Sequence, residues 1–266
     1  MGFHTTNKLK GNSMTTMPMG KPRSLPALPG DPRQNQLLAS LSDLEWHRWR
    51  PHLQRVDLSL GQVLCESGRN PAYVVFPTTA IVSLVYLTQS GASAEVAVVG
   101  NDGVVGISLF MGGNATPSQA VVQSSGQGYR LGAQLVRNEM MRGGPVLNML
   151  LRYTQAMIAQ VAQTAVCNRY HSIDQQLARR LLLALDRLPN DELEMTQEMA
   201  ANLLGVRREG VTAAAHKLQQ AGVIRYNRGH IVVLDRNRLE QCTCECYAVA
   251  RKEYERLLPM PMPMAA

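Results

Sequence analysis

The sequence predicts an α+β chain in three parts: a β-roll (jelly roll), one long helix, and a helical C-terminal unit carrying a small β-wing. Three observations predict it. Between Val56 and Leu135, short β-rich runs alternate with glycines. From Pro145 the apolar residues recur at helical spacing. Between Met195 and Leu234, two short helical patterns precede a hairpin. With 266 residues the chain is long enough for two ordinary domains, and 45% hydrophobic against 18% charged residues is a globular composition.

Residues 1–34 read as a disordered tail, because Pro18, Pro22, Pro26, Pro29 and Pro32 interrupt any helix and apolar periodicity is absent. Residues 258–266 read as a second, flexible tail. No apolar stretch lies between Lys10 and Leu25, which speaks against a secretory signal. No apolar run reaches the roughly 18–20 residues that span a bilayer. The expectation is a cytoplasmic chain with no membrane partner. Ser42-Asp43-Leu44-Glu45 fits a capping box that opens a short helix before Pro51.

The roll is assigned to residues 35–144. Its strands are expected at 63–65, 73–76, 81–87, 95–99 and 120–123, with turns at Gly61, Gly68, Gly91, Gly100, Gly103, Gly112-Gly113 and Gly126. Residues 145–170 form the long helix and hinge. Its stripe includes Leu147, Leu151, Thr154, Ile158, Val161 and Ala165, with Pro145 in the first turn. One apolar stripe needs a partner, either the roll or the same helix of a second subunit, and the latter makes this a dimerisation helix. A further helix is expected near 172–188, inside a C-terminal domain at 171–257.

Charge is unevenly spread along a chain of net charge +7. Residues 56–136 hold two basic side chains, Arg69 and Arg130, against four acidic ones, whereas residues 195–240 hold seven basic against four acidic. The positive end therefore suits a polyanion.

Residues 195–218 carry the sharpest pattern. Thr196 is placed to cap a first helix with Glu198 in its first turn. Ala201 is small where two helices cross, Gly205 suits a left-handed turn, and Val211 buries the second helix against the first. Leu204, Val206, Ala214 and Leu218 complete the apolar set. Together with the hairpin 223–234, turning at Asn227-Arg228-Gly229, this is a winged helix-turn-helix. The second helix would present Arg208, Glu209 and Thr212 to base edges in the major groove of double-stranded DNA. Thr196, Arg207, Lys217, Arg225, Arg228 and His230 would meet phosphates. Gly210 costs helix stability and would let the backbone approach DNA closely.

From about residue 36 to 257 the chain resembles the Crp/Fnr family of transcription regulators. The resemblance rests on the order of parts and on Leu204-Gly205-Val206-Arg207-Arg208-Glu209-Gly210-Val211, which is similar to the family's recognition motif. It implies a cyclic-nucleotide-binding-like β-roll, a homodimer on a palindromic site, and RNA polymerase as a partner if the protein activates. Arg207 stands where the family often has a Ser or Thr cap. Ala213 stands where cyclic-AMP-responsive members carry a second base-reading arginine, so a different operator is implied. The effector-pocket-like segment, Gly106, Ile107 and Ser108 with Ser118 and Gln119, lacks the family's ribose-binding glutamate and phosphate-binding arginine. Cyclic AMP control is therefore not expected.

No cysteine precedes Cys65, so the N-terminal ligands of iron–sulfur relatives are missing. His47, His52 and Cys65 are single candidates for haem ligation, and no cofactor is assigned. Cys242 and Cys246 would share one helix face with Cys244 pointing away; two thiolates fall short of four ligands, and no metal is assigned. His171 and His216 read as packing or phosphate-facing residues. No phosphate loop, HExxH or GxSxG pattern occurs, so no enzyme is expected. The alternative is a ligand- or redox-responsive sensor or scaffold acting through protein contacts.

Overall fold

The computed structural model describes residues 30–188 and 191–258. Residues 1–29 and 259–266, most of the two expected tails, lie outside the described residues. Residues 30–34 of the expected N-terminal tail are ordered. A 3-10 turn, Pro32–Gln34, is already capped by Asp31, and the Tyr129 hydroxyl donates to the carbonyl of Gly30.

Two short helices follow, α1 (Gln36–Ala39) and α2 (Asp43–Trp49). Asn35 fixes the first. It is fully buried, its Nδ2 donates to the carbonyls of Pro77 and Gly103, and its Oδ1 accepts from Leu37 and Leu38. The capping box on α2 forms as expected, with Ser42 and Glu45 bonded reciprocally.

The roll consists of β1 (Gln54–Leu58), β2 (Val63–Cys65), β3 (Tyr73–Pro77), β4 (Ile81–Leu87), β5 (Ser93–Val99), a short helix α3 (Ser108–Met111), β6 (Gln119–Ser124) and β7 (Gly126–Gly132). Its two antiparallel sheets run β1-β7-β3 and β2-β6-β4-β5. Strands β1 and β7 were not expected. Strand β7 carries three glycines, two of them for reasons of approach: a Cβ on Gly126 would lie 2.6 Å from the amide nitrogen of Ala80, and one on Gly128 2.8 Å from the carbonyl of Phe76. A helix α4 (Ala133–Arg142), also unexpected, closes the roll.

Helix α5 (Pro145–Tyr170) is 26 residues long, about 39 Å at 1.5 Å per residue. One face is buried on the roll through Val146, Met149, Leu150, Tyr153 and Met157. Polar groups on the same side complete the fit. The Gln160 amide bonds both backbone groups of Val98 on β5, an edge strand whose outer side would otherwise be unpaired. The Tyr153 hydroxyl donates to the carbonyl of Val104 at 3.1 Å. Burial pushes Tyr153 far above the ordinary phenol range, so it remains a neutral donor.

The C-terminal domain is α6 (Ile173–Leu185), β8 (Glu192–Glu194), α7 (Gln197–Leu204), α8 (Arg208–Gln220), β9 (Ile224–Asn227), β10 (His230–Val233), α9 (Arg236–Cys242) and α10 (Glu245–Leu257). Ser172 and Gln175 form a capping box that starts α6 two residues after α5 ends. The domain does not hang free of the roll. Its apolar core includes Ile81, Val85 and Val98 from the roll's strands. Two buried ion pairs bind α6 and the residues just after it to the roll: Arg180–Glu95 and Arg187–Asp102, each at 2.6 Å. Gly100 makes room for the second, since a Cβ there would lie 2.6 Å from the Arg187 Cβ. Helix α10 returns along α5, and the Tyr254 hydroxyl donates to the carbonyl of Asp102.

Candidate nucleic-acid interface

Helices α7 and α8 meet as the sequence pattern requires. The Thr196 Oγ1 accepts from the Met199 amide at 3.1 Å and caps α7. Gly205 ends it at φ +67°, and the amides of Gly205 and Val206 converge on the carbonyl of Ala201. Ala201, Val211, Ala214, Ala215 and Leu218 are buried between the helices.

The opposite face of α8 is exposed, and it carries Arg208, Glu209, Thr212, Ala213, His216 and Lys217. The wing pairs Asn227 with His230 across a two-residue loop, Arg228 at φ +47° and Gly229 at φ +85°. Two consecutive positive φ values give the hairpin turn whose twist matches its strands. Strand β8, not expected from the sequence, adds a third strand to the wing sheet, in the order β8-β10-β9. Between α8 and the wing lies an open groove of about 890 Å³, lined in part by Gln197, Arg208, Thr212, His216, Tyr226 and Arg228.

The charges in this region divide into free and held. Among the described residues, Arg207, Arg208, Arg225 and Arg228 form no ion pair, and all four are exposed. Lys217 is held 2.7 Å from Asp174 of α6, and His230 lies 3.8 Å from Glu192. The Thr212 hydroxyl is 2.8 Å from Gln197 Oε1 and 3.0 Å from the Arg208 carbonyl. Gln197 and Tyr226 had no signal in the sequence, because each belongs to the groove only once helix and wing are folded together.

One expectation is overturned here. Gly210 is half-buried and faces α6, not the exposed side: a Cβ on it would lie 2.7 Å from Ile173 Cδ1. Its missing side chain serves the α6–α8 contact.

The effector-pocket-like residues lie at the entrances to α3 and β6. Gly106 adopts φ +100°, where a side chain would also crowd the Tyr73 carbonyl at 3.3 Å. Ile107 precedes α3 and packs against the roll's core. The buried Ser108 hydroxyl has no partner among the described residues. Ser118 is buried with its hydroxyl 2.9 Å from that of Thr116, and Gln119 donates to Glu66 at 2.7 Å.

On α5 the expected stripe splits. Leu151, Ile158, Val161 and Ala165 are exposed and Leu147 is half-buried. Thr154 is buried with its hydroxyl donating to the Leu150 carbonyl, which corrects its assignment to the dimer face.

This arrangement defines the class: a winged helix-turn-helix domain joined to a β-roll by one long helix. Residues 175–242 match the family model of the Crp-like helix-turn-helix domain. The fold is shared with a transcriptional regulator of the Crp/Fnr family from Eubacterium rectale (19% identity, TM-score 0.62, covering 79% of this chain and 98% of that one). It is shared likewise with FixK2 from Bradyrhizobium japonicum (16%, 0.61, 72% and 98%) and a CRP-family regulator from Thermus thermophilus (17%, 0.57, 71% and 95%). No curated protein matches by sequence. The chain therefore carries a Crp-like helix-turn-helix domain within a fold that it shares with Crp/Fnr-family regulators. The matched family and fold neighbours are regulators, not enzymes. No helix among the described residues is long and apolar enough to cross a membrane.

Proposed function

We propose that the chain acts in the cytoplasm as a homodimer that reads an imperfect palindrome in double-stranded DNA and is not controlled by cyclic AMP. The observation that carries this reading is the set of exposed cations without ion pairs among the described residues, Arg207, Arg208, Arg225 and Arg228, on α8, its N-cap and the wing, with Arg208 and Arg228 lining the groove between them. Cations left without internal partners keep their full charge for phosphate and base acceptors. Arg208 offers a bidentate pair to guanine and Glu209 accepts from cytosine N4, while Thr196, Arg207, Arg225, Arg228 and His230 position the backbone. Lys217 contacts phosphate only by releasing Asp174.

The exposed apolar face of α5 supports the dimer. Leu151 is 49% exposed and Ile158 61%, an unusual cost for two large aliphatic side chains on one helix. Pairing two copies along this face would cover them and set two α8 helices on successive major grooves, about 34 Å apart. Independence from cyclic AMP is supported by the occupants of the nucleotide-like segment. Ile107 is committed to the core, and Gln119 holds Glu66 where an anion would need a cation. A dimer working as an activator would also touch RNA polymerase.

The test is selection from random duplex DNA by the purified protein, beside Arg208→Ala. Enrichment of a two-fold symmetric site, relaxed in the variant, is the expected result. Retention that is insensitive to salt and to Arg208 would sink the reading and favour a scaffold that works through protein contacts. Dimerisation is checked separately by sedimentation of Ile158→Asp, which should run as a monomer where the wild type runs as a dimer.

A further inference from the structure

We propose that Cys167, His171, Cys244 and Cys246 form a tetrahedral binding site for one Zn2+ ion at the hinge between α5 and the DNA-binding domain. Their ligand atoms all lie within 4.8 Å of one another. Tetrahedral zinc has bonds of about 2.3 Å to sulfur and about 2.0–2.1 Å to imidazole nitrogen, so its ligands stand about 3.8 Å apart for two sulfurs and about 3.6 Å for sulfur and nitrogen. The Cys167 and Cys244 sulfurs are 3.6 Å apart, and the Cys246 sulfur is 3.6 Å from His171 Nδ1. Four donors this close fit a single ion rather than a cluster of several irons.

The surroundings match the donor set. The three sulfurs form a buried group of their own, apart from both large cores. His171 directs Nδ1 at the thiols while its Nε2 lies 3.3 Å from Glu245. A carboxylate on the far nitrogen fixes the tautomer that a histidine ligand needs. Three thiolates and Zn2+ carry one net negative charge. Arg179, nine-tenths buried beside the cluster, has an Nε without a partner among the described residues and supplies the compensating positive charge. Cys244 stands at the N-cap position of α10 and Cys246 lies in its first turn, where the helix dipole favours thiolate. Burial raises the Cys167 and Cys246 thiols well above their ordinary range. On binding, the three thiol protons pass to solvent as three sulfur–zinc bonds form. Thiolate with imidazole selects zinc over magnesium or calcium.

The site is hidden in the sequence when residues 242–246 are taken as one helix. Helix α9 ends at Cys242 and α10 begins at Glu245, so Cys244 turns inward with Cys246 and Cys242 stays outside the group. The remaining two ligands come from the end of α5, with Cys167 one turn before His171. An ion here would pin α10 to α5 where α6 departs, and so set the direction of the DNA-binding domain.

The test is Co2+ added to the full chain, reduced and metal-stripped without oxygen, and followed by absorption. The expected result is one Co2+ per chain, with thiolate-to-metal charge-transfer bands and the strong visible bands of a tetrahedral site, bleached by Zn2+. Cys242→Ser should keep the spectrum, and Cys246→Ser should lose its intensity. The wild-type measurement stands even if Cys246→Ser does not fold. A folded, reduced wild type that gives no tetrahedral spectrum overturns the proposal, as does a spectrum lost in Cys242→Ser but intact in a folded Cys246→Ser.

Discussion

Two groups of arginines share the C-terminal domain and are treated in opposite ways. Arg179, Arg180 and Arg187, on or just after α6, are no more than 6% exposed, and the last two meet Glu95 and Asp102 of the roll. Arg207, Arg208, Arg225 and Arg228, around α8 and the wing, are exposed and without ion pairs among the described residues. Arginine is always charged, so its pairing decides its use. A buried pair fixes the domain against the roll, and a bare surface row is available to an outside anion.

The comparison breaks most readily at the buried end. Arg187→Ala leaves Asp102, 13% exposed and bonded to the Gly100 amide, without its cation, and since losing one partner of a fully buried pair costs about 3–5 kcal/mol, the loss here should approach the lower end of that range. Denaturant unfolding should show that loss for Arg187→Ala. Arg208→Ala, a surface change, should stay within about 0.5 kcal/mol of the wild type. Equal stability for both variants would mean that the docking of the two domains is not what holds Arg187.

At the exposed end the effects should fall on DNA binding instead of stability. Arg208→Ala should cost about 1–3 kcal/mol in binding a selected site and relax preference at one base pair, as read by competition with single-base variants of that site. Arg225→Ala should weaken binding to all sequences alike. The slope of log K against log salt should become shallower by about one for each phosphate contact removed. A base-specific effect from Arg225, or a uniform one from Arg208, would reverse the assignment of the two residues.

These differences also mark what was legible in the sequence. The helix-turn-helix was readable because its determinants are local. Thr196, Ala201, Gly205 and Val211 each act within one or two helical turns, and each occupies its expected place. Strands β4 and β5 were readable from their β-branched runs. Strand β7 was not, because its Gly126 and Gly128 answer to the backbone of residues near Thr79 and Phe76, a contact that composition does not encode. Thr154 was placed on the wrong face of α5 because threonine fits either an apolar seam or a buried back-bond to the preceding turn. The arginine pairs and the cysteine–histidine group were illegible for a third reason. Glu95 meets Arg180, and Cys167 meets Cys244, only through the return of distant segments.

Gly210 offers the smallest effect and a direct choice between local and tertiary readings. If its bare backbone served DNA, Gly210→Ala would weaken binding and leave stability unchanged or slightly improved, since alanine is favoured over glycine in a helix by about 1 kcal/mol. The structure puts Ile173 Cδ1 2.7 Å from the new methyl, so the cost falls on the α6–α8 contact instead. Ile173 is half-buried and its terminal methyl can swing, which keeps the penalty comparable to the helix gain. Gly210→Ala alone should therefore change stability by less than about 1 kcal/mol, while Gly210→Ala with Ile173→Val should be more stable than the two single effects add up to. DNA affinity should be the same in all three variants. A loss of affinity in Gly210→Ala that Ile173→Val does not restore would return Gly210 to the DNA-facing side of α8.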